Sequence, residues 1–199
     1  DACWVPDLAD FPNFTGKLGH LEKSTLKLKY LGPLSRMQKK ETPIVFDLMV
    51  LLSGPEPQRS MLEEKLKTEI LKYNGKVAFI KGIIEKVQKK EQIDHVTYYN
   101  FMSTRQLEQT FNESNAVLCR SGYTSIMDLA KLGKKAFFIP TPGQFEQEYL
   151  ARKLKEEGLV PYAEQDYFKI ENLSEIEQYK GLPKLDQPLD WKTIFQVFD

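Results

Sequence analysis

The chain has 199 residues, 41% of them hydrophobic and 28% charged, an ordinary balance for a soluble globular protein long enough to bury a proper core. Its 28 basic and 28 acidic residues cancel, so the basic excess that nucleic-acid binders carry is missing. No apolar run approaches the roughly 20 residues of a membrane span, and no secretory leader is evident.

Residues 1–32 are the least regular part, with Trp4-Val5-Pro6-Asp7 and the following Pro, Asn and Gly reading as loops and short strands. Residues 26–31 alternate, predicting a half-exposed edge strand that Gly32-Pro33 stops. Residues 36–42 are polar and basic and read as a solvated connector. Residues 44–52 are apolar except for Asp47 and have the length of a buried parallel strand. Ser53-Gly54-Pro55 follows, then a helical pattern through Met61, Leu62, Leu66, Ile70 and Leu71, ended by Gly75.

Residues 77–80 and 96–99 read as the next two strands, the second followed by a helix around Leu107 and Phe111. Ala116-Val117-Leu118 then leads through Cys119 into Arg120-Ser121-Gly122, a helix-period segment, a second apolar run and Pro140-Thr141-Pro142-Gly143. Residues 159–162 read as a short last strand, and helical patches are predicted near residues 173–179 and 191–198. Strand and helix alternate about five times, which predicts an α/β fold with a mostly parallel, doubly wound sheet. Ligands of such sheets bind beyond the carboxyl ends of the strands, where Ser53-Gly54 and Ser121-Gly122 both fall.

Each of these turns alone is equally well explained as a helix cap without a ligand. Neither is a Walker loop or a GxGxxG fingerprint, so the ordinary dinucleotide reading fails. Two such turns opening helices of one sheet point instead to a diphosphate, because each helix N-terminus contributes partial positive charge. Asp128, further along the second helix, is placed to hold a ribose hydroxyl.

In combination, Ser53 to Arg59, then Cys119 to Asp128, then Pro140 to Glu148 resemble the donor-binding half of a family 28 glycosyltransferase of the two-Rossmann GT-B architecture. That family is typified by the enzyme that adds N-acetylglucosamine to the lipid-linked peptidoglycan precursor. The resemblance covers roughly residues 25–165, with Pro55 and Glu56 standing where the family usually has small residues. It implies that Ser53 and Gly54 lie under the diphosphate, within reach of Arg59, for which an ion pair with Glu63 at i+4 is the competing role. It implies that Arg120, Ser121 and Gly122 form the second phosphate turn, whose backbone N–H groups face the diphosphate, and that Asp128 binds the ribose hydroxyls. Gln147 and Glu148 match a pair that holds the donor sugar, with first-turn capping as the alternative; Thr141 and Gln144 lie on the same loop. Phe101 and Met102 match the region packing against the base, with plain core as the alternative.

The resemblance further implies an inverting transferase that takes a UDP-sugar donor and uses neither cofactor nor metal. Residues 1–32 would be the end of an N-terminal domain and its linker, and residues 33–199 the nucleotide-sugar-binding domain with its C-terminal helix. The chain starts at Asp1 without an initiator Met and is expected to be a piece of a longer protein. Its missing domain would supply the catalytic base and the pocket for a sugar or lipid-linked acceptor. Alternatives are a nucleotide-sugar hydrolase or epimerase on the same scaffold, or a binding subunit that needs a separate membrane partner. A cytoplasmic protein is expected, with room for peripheral association at the inner face of the cell membrane. Cys3 and Cys119 read as reduced thiols, and no nucleic-acid partner is expected.

Other residues read as structural. His20 and His95 lack ligand-spaced partners, and His95 is expected at an exposed edge. Tyr98-Tyr99 and Phe137-Phe138 read as core strand, Lys89-Lys90 and Lys134-Lys135 as solvated turns, and Trp191 with Phe195 as pins for a last helix.

Overall fold

The computed structural model describes residues 2–21, 23 and 25–183. The patch expected at residues 191–198, with Trp191 and Phe195, lies outside them. A six-stranded sheet runs in the order β5-β6-β4-β3-β7-β8, with β3 at Phe46–Leu51, β4 at Val77–Ile80, β5 at Lys90–Ile93, β6 at Val96–Tyr99, β7 at Ser114–Cys119 and β8 at Lys135–Phe138. All pairings are parallel except β5 with β6. Along the chain the sheet grows outward from β3, first through β4 and β6, then through β7 and β8 on the other side. The order reverses between β3 and β7, which is the switch point of a doubly wound sheet.

The three central strands are buried on both faces, as their unbroken apolar runs require: Leu48, Met49, Val50, Val77, Phe79 and Val117 are at most 1% exposed. On one face Leu62, Leu66 and Ile70 of helix α1 (Gln58–Ile70) pack against the sheet together with Phe168, Ile170, Leu173 and Ile176 around the 3₁₀ segment Ile170–Gln178. On the other face lie helices α2 (Thr104–Asn112), α3 (Tyr123–Leu132) and α4 (Phe145–Glu156), contributing Phe111, Ile126, Leu129, Leu150 and Leu154. A separate parallel pair, β1 (Ala2–Val5) with β2 (Lys27–Tyr30), sits against this second layer. It is held by Phe14, buried in that core, and by Lys153 Nζ donating to the Asn13 carbonyl at 2.7 Å.

Several expectations need correction. The connector at residues 36–42 is not simply solvated, because Met37 is 2% exposed and belongs to the core beneath α3 and α4. β5 was not anticipated, since Lys90, Glu91, Gln92 and Ile93 are all exposed and carry no hydrophobic alternation. Residues 159–162 contribute one bridge, Phe138 to Tyr162, rather than a strand. His95 is half-buried, its Nε2 at 3.1 Å from the Ile70 carbonyl at the end of α1. Lys134 is no solvated turn residue: its ammonium donates to the carbonyls of Asn112 and Ser114 at 2.9 and 2.8 Å, and burial pulls its pKa down. Both cysteines are free, and burial pushes the Cys119 thiol up to about 12, so it is inert. No helix among the described residues is long and apolar enough to cross a membrane.

Candidate functional site

Three turns meet where β3, β7 and β8 end, across the switch point. The first is Ser53-Gly54, and Gly54 has φ +105, a conformation that a side chain would strain. A Cβ at Gly54 would stand 3.9 Å from the Thr141 hydroxyl of the third turn. Thr141 is 2% exposed and its hydroxyl has no partner among the described residues. A buried hydroxyl left unpaired costs about 1–3 kcal/mol, so a group that bonded it would recover that.

The second turn, Arg120-Ser121-Gly122, opens α3. Gly122 is the N-cap in an extended conformation, φ −70 and ψ 142, with no side-chain cap and nothing within 4 Å of where a Cβ would point. By helix geometry the N–H groups of Tyr123, Thr124 and Ser125 have no intrahelical acceptor and carry the positive end of the helix dipole. The structure thus leaves an open, uncapped helix N-terminus at the switch point. Ser121 is fully buried, its hydroxyl donating to the Gln147 carbonyl at 2.8 Å, which ties the second turn to α4.

Arg120 points inward rather than into solvent. It is 1% exposed and donates to the carbonyls of Ile139, Pro140 and Gln58 and to Oε1 of Gln165, at 2.7–3.1 Å. All four acceptors are neutral, and Nε is left without a partner among the described residues. Burial lowers its pKa to about 10. The cation therefore joins the first turn of α1 to the ends of β7 and β8, and among the described residues no carboxylate pairs with it. Gln165, absent from the sequence reading, is its partner 45 residues away; nothing local marks it.

Arg59 does not reach the crevice. It is 7% exposed, donates to Glu63 at 2.8 Å, to Glu56 at 2.7 and 2.5 Å, and to the Lys81 carbonyl at 3.0 Å. The competing i+4 ion pair is the observed one, though buried rather than solvated. Burial raises the Glu63 carboxyl, but hydrogen bonds from Arg59 and Lys67 outweigh it and hold the pKa below the ordinary value.

Asp128 lies on α3, 7% exposed, and accepts a hydrogen bond from Ser35 Oγ at 2.6 Å. Burial raises its pKa, against the lowering effects of Ser35 and the Arg36 charge. Gln147 and Glu148 turn back onto their own loop: Oε1 of Gln147 accepts the Thr141 N–H at 2.9 Å, and Oε1 of Glu148 accepts the Gly143 N–H at 2.8 Å. Gln144 accepts from Gln147 Nε2 at 2.5 Å. Neither bond caps α4, whose N-cap Gln144 has no side-chain cap; both brace the loop that leads into the helix. Phe101 and Met102 are half-buried beyond β6, with the Phe101 carbonyl accepting from Gln88 Nε2 at 2.7 Å and its N–H donating to Asn100 Oδ1 at 3.0 Å.

A cavity of about 750 Å³ opens at the opposite edge of the sheet, lined by Ile44, Asp47, Ser114 and Lys134. It lies at the amino ends of the strands, away from the three turns.

A family model described as the glycosyltransferase family 28 C-terminal domain matches residues 56–180. A UDP-N-acetylglucosamine--N-acetylmuramyl-(pentapeptide) pyrophosphoryl-undecaprenol N-acetylglucosamine transferase of Haemophilus ducreyi is 28% identical over 155 residues, covering 74% of this chain and 43% of that protein. Among solved structures, the glycotransferase of kitacinnamycin superposes with a TM-score of 0.53 at 13% identity, over 75% of this chain and 40% of its own. The glycosyltransferase VinC, solved in complex with dTDP, gives 0.52 at 13% identity, over 85% of this chain and 47% of its own. The doubly wound sheet is therefore that of one half of a GT-B protein. The chain spans less than half the length of the relatives it matches.

Proposed function

The chain belongs to the glycosyltransferase family 28 C-terminal domain family, and we propose that it is the donor-binding half of an inverting, metal-independent transferase that takes a UDP-sugar. The observation that carries this reading is the uncapped N-terminus of α3 at the β3–β7 switch point, at the same strand ends as the Gly54 turn, which lies against the unpaired Thr141 hydroxyl. A diphosphate there meets backbone N–H donors, a helix dipole and the underlying Arg120 charge. When the acceptor oxygen attacks the anomeric carbon, the bond to the β-phosphate breaks and its electron pair stays on the phosphate. Donors aimed at that oxygen stabilise the charge as it develops, without a metal.

Asp128 in this reading holds the ribose, and Gln147 and Glu148 leave their bonds to the Thr141 and Gly143 N–H groups to hold the sugar. The acceptor pocket, whether for a free or lipid-linked sugar, and the catalytic base are assigned to the other half of the protein. A nearby UDP-sugar enzyme, the Haemophilus ducreyi transferase, supports the choice of uracil. The test is calorimetry of the folded chain with UDP and UDP-N-acetylglucosamine. Saturable heat from either is expected, and none at millimolar ligand would refute the reading.

Asp128→Asn separates binding from folding. The raised pKa means that the charged carboxylate opposes folding, so stability falls as pH rises from the ordinary Asp value through the raised one. Asn keeps an acceptor for Ser35 and removes the charge. At neutral pH the variant is expected to melt at the same temperature or higher, while UDP affinity drops about tenfold through loss of a charged hydrogen bond. Unchanged affinity would remove Asp128 from the site.

A further inference from the structure

α1 begins at the same crevice as α3, but its end is already occupied. Glu56, two residues before the helix, accepts the Ser60 N–H at 3.1 Å through Oε2, and its Oε1 accepts from Arg59 Nε and Nη2. Ser60 is the third residue of α1, so its N–H is one of the donors that the helix itself leaves unpaired. The carboxylate thus stands where a helix N-terminus would take an anionic ligand. The two sides of this end are not equally fixed. The Arg59 side chain is 8% exposed and anchored by Glu63 and the Lys81 carbonyl, whereas the Glu56 side chain is 56% exposed. Glu56 can therefore swing away at little expense, because its ion pair with Arg59 reaches into solvent on its own side.

The end of α1 is continuous with the site described above. The Gln58 carbonyl, in the first turn of α1, receives Arg120 from the second turn. Gly54, which leads into α1, lies against the unpartnered and 2% exposed Thr141 hydroxyl. Arg120 Nε is a second buried and unpaired donor in the same cluster. Buried donors that lack partners, the Thr141 hydroxyl against the Gly54 turn and Arg120 Nε beneath it, beside a helix end that already holds a carboxylate, describe an anion site only partly filled from within.

We infer that the Glu56 carboxylate is a built-in competitor for the donor diphosphate, and that the two are alternative occupants of the N-terminus of α1. The inference rests on the UDP-sugar reading of the site. In the unliganded protein Glu56 neutralises the helix end and holds Arg59 on the α1 side. When a nucleoside diphosphate enters, a phosphate oxygen takes the Ser60 N–H and Glu56 turns to solvent, while Arg59 stays anchored to Glu63 and the Lys81 carbonyl. The departure from small residues at this point of the family motif then sets donor affinity: it makes empty protein self-satisfied and lowers the gain from binding phosphate.

The test compares wild type with Glu56→Gln and Glu56→Ala by calorimetry against UDP, inorganic pyrophosphate and uridine. Both variants are at an exposed position, and circular dichroism checks that they fold. Removing the charge is expected to tighten UDP and pyrophosphate binding about fivefold, the size of a helix-end charge effect, and to leave uridine unchanged. Equal or weaker binding of UDP by both variants, with wild type binding normally, overturns the competitor role alone. An equal gain for uridine also overturns it, because the effect would then not be at the phosphate. UDP bound by none of the three folded proteins overturns the UDP-sugar reading and this inference with it.

Discussion

Gly122→Asp is expected to abolish UDP binding while leaving the protein as stable as wild type, or more so. Gly122 is the N-cap of α3, with φ −70 and ψ 142, a conformation that Asp adopts freely. A Cβ there meets nothing within 4 Å. Asp is among the preferred N-cap residues, and its carboxylate would accept the N–H groups of the first turn that now stand open. Exchanging Gly for Asp at an N-cap gains only a few tenths of a kcal/mol, so for a chain of this size the melting temperature holds or rises by about 1 °C. The same carboxylate occupies the proposed phosphate position and repels the diphosphate, so affinity should fall by about a hundredfold or more. Thermal melting and a UDP titration of one purified variant give both readings. An equal or higher melting temperature with UDP affinity intact would move the diphosphate away from α3.

Arg120→Ala is expected to be the most damaging single change among the residues of this site. It removes one side chain and leaves the carbonyls of Ile139, Pro140 and Gln58 and the Gln165 amide oxygen without their donor. Buried acceptors left unsatisfied cost about 1–3 kcal/mol each, and partial relaxation brings the total to about 3–5 kcal/mol. The melting temperature should fall by about 10 °C or more. Arg120→Lys is the informative companion. It keeps the charge, but one ammonium cannot span Ile139 and Pro140 on one side and Gln58 on the other, so it too should destabilise, by less. If the charge beneath the turns matters to the diphosphate, the folded Lys variant retains more UDP affinity than a neutral Met variant measured below its melting temperature. Equal affinities would leave Arg120 a purely architectural residue.

The two residues illustrate what could be read from the chain and what could not. The open α3 turn was legible because it is local: an apolar run, then Ser121-Gly122, then a 3.6-residue period dictate strand, turn and helix within ten residues. The direction of Arg120 was not, because its acceptors come from α1, β8 and residue 165, brought together by strand order. For Arg59 the sequence offered either a phosphate or the i+4 pair with Glu63; the structure shows the pair, joined by Glu56, a choice made by which charges stand near it once α1 is packed. The helical position of Asp128 was legible, since the period that defines α3 includes it, yet its burial against Ser35 joins residues 93 positions apart. β5 escaped notice because a strand exposed on both faces needs no apolar alternation and is defined by its pairing with β6.

The order of apolar runs and small-residue turns was sufficient to dictate an α/β fold of alternating strands and helices, and to mark the turns that follow β3, β7 and β8. Hydrophobic period and turn chemistry act over a few residues, so they are written into adjacent positions. Folding in three dimensions chose the rest. It set β3 beside β7 and so created the switch point, it turned Arg120 inward and Arg59 aside, and it seated the Glu56 carboxylate on α1 while leaving α3 open. Each of these depends on charges and backbone donors from distant segments finding one another in a low-dielectric interior, where an unpaired group is costly and the nearest partner wins.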